Sequence, residues 1–139
     1  MNTPVSLLGV VLATASALPV GMAWYSPALF GKPWSKITGI TDKDMKDRMS
    51  TAMPIIIGAA LLTAYTLAHF MVYAHAYNGG SWVSAGVVTG FWAGVGLAGT
   101  AVFAHGAFEK RDKKVLVINA ANRVVTLVIM GLILGLLAK

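Results

Sequence analysis

The residue of this 139-residue chain that most invites a chemical reading is Arg123. It stands eight positions into an apolar stretch that begins at Val115, and no aspartate or glutamate lies inside any long apolar stretch to neutralise it. An unpaired cation in hydrocarbon is costly. Asn119, Asn122, Thr126 and Met130 accompany it at helical spacing and read as one polar stripe. Two explanations stand side by side. Arg123 lies about 12 Å from the start of its helix at the normal rise, so its long stem can snorkel to lipid phosphates. Alternatively it points into a helical bundle as part of a site for an anion or a polar head group, with Asn119 and Asn122 as hydrogen-bond partners.

His105 falls at a depth similar to Asn119 and can join Trp24, Tyr25 and Ser26 around the stripe. The candidate ligand-binding set is therefore Arg123, Asn119, Asn122, His105, Trp24 and Tyr25. His69 stands four residues after Tyr65, which suits a hydrogen-bonding pair between helices, and His75 ends its stretch. No metal site or cofactor is expected: cysteine is absent, the acids lie outside the apolar stretches, and a metal needs several convergent ligands. Catalysis has little to stand on, since no nucleophile and base pair and no phosphate-cradling glycine loop is legible.

These residues need elements to hold them, and composition says which. Apolar residues make up 57% of the chain and charged ones 12%, with a mean hydropathy of +0.72. Soluble domains carry about a quarter charged residues. From Met49 to Phe108 no lysine, arginine, aspartate or glutamate occurs. The chain reads as an integral membrane protein with the lipid bilayer as its first partner. A secreted disulfide scaffold, a disordered segment and a nucleic-acid binder are excluded in spite of the net charge of +6. A spanning helix needs roughly 20 apolar residues. Four are expected, over residues 4–25, 51–77, 82–108 and 115–138, giving an all-α four-helix bundle in a single membrane domain. Asn78-Gly79-Gly80-Ser81 turns the second span tightly into the third. The first span is expected to persist rather than be cleaved as a signal, because no basic residue precedes it.

Five of the eleven basic residues fall between Lys32 and Arg48 and four between Lys110 and Lys114, with Lys139 alone at the far end. Basic connections stay cytoplasmic, so both termini are expected on the other side. Trp24, Tyr25 and Trp34 would then mark the cytoplasmic interface and Tyr73, Tyr77 and Trp82 the outer one. Within the first connection, Thr41 followed by Asp44 reads as a helix cap. A short amphipathic helix is expected there, with Met45 and Met49 on one face, lying on the membrane surface or leading into the second span. Pro54 is placed near the start of that span, in a first turn where its missing N–H costs little.

Helices in a bilayer associate by close packing rather than by the hydrophobic effect, so small residues locate contact faces. Gly9, Ala13, Ala17 and Gly21 form one such stripe, and Gly86, Gly90, Gly94 and Ala98 another. Ala60, Ala64 and Ala68 form a third, and Gly131 with Gly135 a shorter one. A second set on the third span, Gly96, Gly99 and Thr100, leaves a smooth face for another subunit, so a homo-oligomer is expected.

The segment Gly21-Met22-Ala23-Trp24-Tyr25-Ser26-Pro27-Ala28-Leu29-Phe30-Gly31-Lys32-Pro33-Trp34 resembles the signature of small bacterial membrane proteins called domain of unknown function 1761. Ile118-Asn119-Ala120-Ala121-Asn122-Arg123, with the glycine-bearing apolar run that follows, is similar to that family's final span. The resemblance implies a four-span protein of bacterial type and no particular activity. Small multidrug exporters need an intramembrane carboxylate that this chain lacks. Fluoride channels have nearly balanced loop charges, and membrane glutathione transferases carry acids within their spans. The expected function is a non-enzymatic bacterial inner-membrane bundle that binds or moves an anionic or amphipathic small ligand or lipid at a polar pocket in its cytoplasmic half. The alternative is a membrane enzyme on a lipid or lipophilic substrate, with His105 as acid or base and Arg123 holding an anionic intermediate.

Overall fold

The computed structural model describes residues 5–138; Pro4, at the expected start of the first span, and Lys139 lie outside them. Its elements are α1 (Leu7–Trp24), α2 (Gly31–Thr38), α3 (Asp42–Asn78), α4 (Trp82–Ala93), a π turn (Gly94–Gly99), α5 (Thr100–Phe108) and α6 (Lys113–Leu137). No strand occurs among the described residues. α4, the π turn and α5 run as one helical rod, so four rods are long and apolar enough to cross a membrane. This is the all-α, four-span architecture expected.

The rods alternate in direction around α6. α1 packs along one flank of α6 and α4 along the other, while α3 bridges α1 and α4 and also touches α6. The shared core is built from small and flexible side chains: Val10 and Ala13 of α1, Ala64, Leu67, Ala68 and Met71 of α3, and Leu127, Met130 and Leu134 of α6. Methionine fits such gaps because its stem is unbranched.

The closest approach is between α4 and α6, where backbone meets backbone. A Cβ on Gly86 would stand 2.0 Å from the Gly131 carbonyl oxygen, and one on Gly90 would stand 2.2 Å from that of Leu127. Gly94 lies against the Cα of Val124, and Gly135 against Trp82 and Val83. The short glycine pair of the last span is thus as tightly used as the long stripe opposite it. Ala13, Ala64 and Ala68 are fully buried, with Ala17, Ala60 and Ala98 packed at the edge of the core. Gly21 departs from the expectation, for nothing lies within 4 Å of the Cβ it would carry.

The π turn explains another departure. Glycines at positions 86, 90 and 94 keep a four-residue interval, then the wider turn inserts one residue. Gly99, five residues after Gly94, and Gly106 thereby face Ala120 and Leu116 of α6. Gly99 is accounted for inside the monomer, whereas Gly96 and Thr100 remain exposed.

The first connection holds more helix than expected. Thr41 and Asp44 form a full capping box: Thr41 Oγ1 accepts from Asp44 N at 3.2 Å, and Asp44 Oδ2 accepts from Thr41 N at 2.9 Å. These contacts hold the Asp44 carboxyl, in the polar turns before the apolar span, below the usual carboxylate range. The helix they start does not stop, however. It runs unbroken into the second span as α3, whose 37 residues are about 55 Å long, well over the hydrocarbon thickness of about 30 Å. Pro54 consequently sits in a helix interior rather than in a first turn. The expected alternative of a helix leading into the second span is thus the one found, and a separate short helix, α2, precedes it, ended by Gly39 at φ 71° and carrying Lys32 and Lys36 one turn apart on an exposed face.

Candidate functional site

The end of α1 is folded back on itself. Phe30 N donates to Trp24 O at 3.1 Å and Gly31 N to Ser26 O at 3.0 Å, which closes a tight loop through Pro27. Gly31 is required by contact rather than by its torsion angles, since a Cβ there would lie 2.2 Å from the Tyr25 carbonyl oxygen. The loop stacks its aromatic side chains. Phe30 lies on Trp24 with ring centroids 4.5 Å apart, and Trp34, delivered by α2, lies 5.2 Å from Tyr25.

From this wedge two side chains reach α6. Trp24 Nε1 donates to the Ile118 carbonyl at 3.0 Å, and Tyr25 Oη donates to Asn119 Oδ1 at 2.7 Å. The Tyr25 bond consumes the Asn119 acceptor and leaves its amide N–H groups available. Trp24 spends its one donor on holding α1 to α6, so it acts on this site by positioning the loop.

Arg123 follows Asn119 by one turn on the same side of α6. It is exposed and in no ion pair among the described residues, where the pair found is Arg111 with Glu109. Its position on the helix is informative. Leu127 and Met130, four and seven residues later and within about 40° of it around the helix, are buried in the core shared with α1 and α3. Arg123 therefore lies on the bundle-facing sector of α6 and is exposed because the covering rods have parted. α3 packs along α4 but has no comparable packing against the π turn or α5, and both rods are largely exposed towards the basic end.

The expected polar stripe is split by this geometry. Asn122 is 7% exposed and stands about 100° around the helix from Arg123, one turn before buried Thr126. Its Nδ2 has no hydrogen-bond partner among the described residues. It belongs to the core face, so of the two asparagines it is Asn119 that shares the Arg123 side. His105 is exposed and its side chain hydrogen-bonds to no described residue; it precedes Gly106, which faces Leu116, so it lies nearer the basic end than Arg123, whose neighbour Val124 meets Gly94. His69 accepts no bond from another helix: its Nδ1 pairs with the Tyr65 carbonyl one turn back, at 2.9 Å. His75 stacks on Trp82 with centroids 3.6 Å apart. No group of three metal-ligating side chains occurs among the described residues.

Trp34 stands beside the expected set without having been placed in it. Its Nε1 is buried with no partner among the described residues, beside Tyr25. The signal was present, since Trp34 closes the aromatic motif that opens at Trp24, but an interfacial anchor and a buried donor read alike in sequence.

Comparison with known families covers nearly the whole chain. The profile described as a protein of unknown function, DUF1761, matches residues 8–135. The chain belongs to the DUF1761 family. The match takes in all four rods and the whole aromatic loop, so the wedge against α6 lies inside the DUF1761 unit. No curated protein and no solved structure matches the chain.

Proposed function

We infer that this DUF1761 protein is a bundle of the bacterial inner membrane that binds an anionic, amphipathic ligand at the wedge formed by Tyr25, Asn119 and Arg123. The observation that carries the reading is Arg123: a cation on the bundle-facing sector of α6, exposed, with no acidic partner among the described residues. The groups around it offer donors in excess. Arg123 brings five N–H groups and Asn119 an amide whose oxygen is already taken by Tyr25. A surplus of donors around a cation is complemented by an acceptor-rich anion, and guanidinium suits phosphate or carboxylate best. His105, nearer the basic end on α5, is kept as a contact residue in this reading.

The reading is tested by thermal unfolding in a neutral detergent with added lipid. Phosphatidylglycerol should raise the midpoint by several degrees, phosphatidylcholine should leave it nearly unchanged, and Arg123→Ala should lose the difference. Equal shifts from the two lipids would overturn it.

The proposed orientation puts α2 and the connection from Phe108 to Lys113 in the cytoplasm, with both termini outside, and a homo-oligomer would form across the exposed Gly96 and Thr100. The chain has no cysteine, so reporters carry no background. In intact cells a membrane-impermeant thiol reagent should label Gly79→Cys and spare Lys43→Cys. The opposite pattern would invert the topology.

A further inference from the structure

Where α3 and the α4–α5 rod part, they leave an apolar groove of about 330 Å³ open to the side of the bundle. Leu62, Thr66 and Phe70 line it from α3, Leu97 and Ala98 from the π turn, and Leu127 of α6 forms its floor. Arg123 lies one turn from that floor, on the same side of α6. The groove thus has an apolar trough and a single cation beyond its basic end. From Leu62 to Phe70 it is about 12 Å long by the helical rise, close to half of a hydrocarbon core about 30 Å thick.

We propose that this groove holds one acyl chain of an anionic phospholipid whose phosphate is bound by Arg123. The proposal rests on the anion reading of Arg123 and adds the second half of the ligand. A trough open to the bilayer is filled by whatever chain reaches it, and lipid tails gain nothing from the hydrophobic effect on moving there. Selection must come from what the chain is attached to. Arg123 supplies it, because a chain in the trough with an anion at that depth satisfies both the apolar lining and the unpaired cation, whereas a zwitterionic head brings its own cation to compete. The arrangement has a direction: the head would sit at the end of the groove nearer the basic connections and the tail would run along the groove away from them.

The test separates head from tail. Native mass spectrometry in a neutral detergent would follow binding of dioleoyl phosphatidylglycerol, dihexanoyl phosphatidylglycerol and inorganic phosphate. The long-chain lipid should bind as one copy per chain and about tenfold or more tighter than the short-chain one. Thr66→Phe fills the trough from an exposed position, so the fold should survive it. It should erase the chain-length preference while short-chain lipid and phosphate still bind; Arg123→Ala should weaken all three. If both chain lengths bind alike, or Thr66→Phe keeps the preference, the tail lies elsewhere and only the anion reading stands. If Arg123→Ala changes no affinity, the anion reading falls and takes this proposal with it. A groove occupied by a second copy would appear as a dimer that Thr66→Phe dissociates without altering lipid binding, which also overturns the proposal.

Discussion

Replacing Gly90 with leucine will drive α4 off α6 and cost the protein its folded bundle. The reason is geometric. Even the first carbon of a side chain at this position would meet the Leu127 carbonyl oxygen at 2.2 Å and the adjacent Val128 Cα at 3.1 Å, and these are backbone atoms of a helix that cannot swing aside. Overpacking usually costs about 1–3 kcal/mol when side chains can yield. Here they cannot, so even Gly90→Ala should lie at or beyond the upper end of that range, and leucine further still. Gly86 is held as closely and should behave in the same way. The control is Gly96, which belongs to the same rod and has nothing within 4 Å of its would-be Cβ. Gly96→Ala should shift stability by no more than about 0.5 kcal/mol, as surface substitutions do. Detergent-resistant folding, followed by thermal unfolding and size-exclusion chromatography, checks the pair. A Gly90→Leu protein that keeps its melting point would show that α4 and α6 do not meet as described.

The second large effect concerns Arg123 with Asn119. Lysine keeps the charge and loses the planar fork, so Arg123→Lys should weaken phosphatidylglycerol binding about tenfold if the fork grips the head group, and Arg123→Leu should abolish it. Asn119→Ala removes the acceptor of the Tyr25 hydroxyl and the amide donors beside Arg123. Its effect should not add to that of Arg123→Leu, because groups sharing one ligand couple by about 0.5–3 kcal/mol. The measurement is a double-mutant cycle on phosphatidylglycerol binding, with unfolding followed separately for each variant. A silent lysine replacement together with additive losses would return Arg123 to the ordinary interface, where only charge on a long stem matters.

Both predictions use residues that sequence reasoning had singled out, but for reasons the sequence carries to different depths. The four spans were legible because bilayer thickness imposes a length and an apolarity on each rod, and both are local properties of the chain. The glycine stripe on α4 was legible too, since four-residue periodicity survives wherever the helix stays regular. It was incomplete where the helix does not. The π turn brings Gly99 against α6 while Ala98 stays at the core edge, and nothing in the residue types announces a wider turn. The cap at Thr41 and Asp44 was correctly located, yet whether the helix after it would end before the membrane or enter it depended on the absence of a stop signal. Pro54 does not supply one, since it shares α3 with the uninterrupted apolar run after it.

The candidate site divides along the same line. Sequence by itself determined that one arginine lies among apolar residues with asparagines nearby, and that an aromatic motif ends the first span at a similar depth. Which asparagine shares a side with the arginine was decided by the tertiary structure, because only packing chooses which sector of α6 faces α1 and which faces the gap beneath α3. Asn122 went into the core and Asn119 to the aromatic wedge. The exposure of Arg123 was decided in the same way, by two rods that diverge below the π turn. Periodicity orders residues around one helix; where neighbouring helices stop touching is a property of all four together.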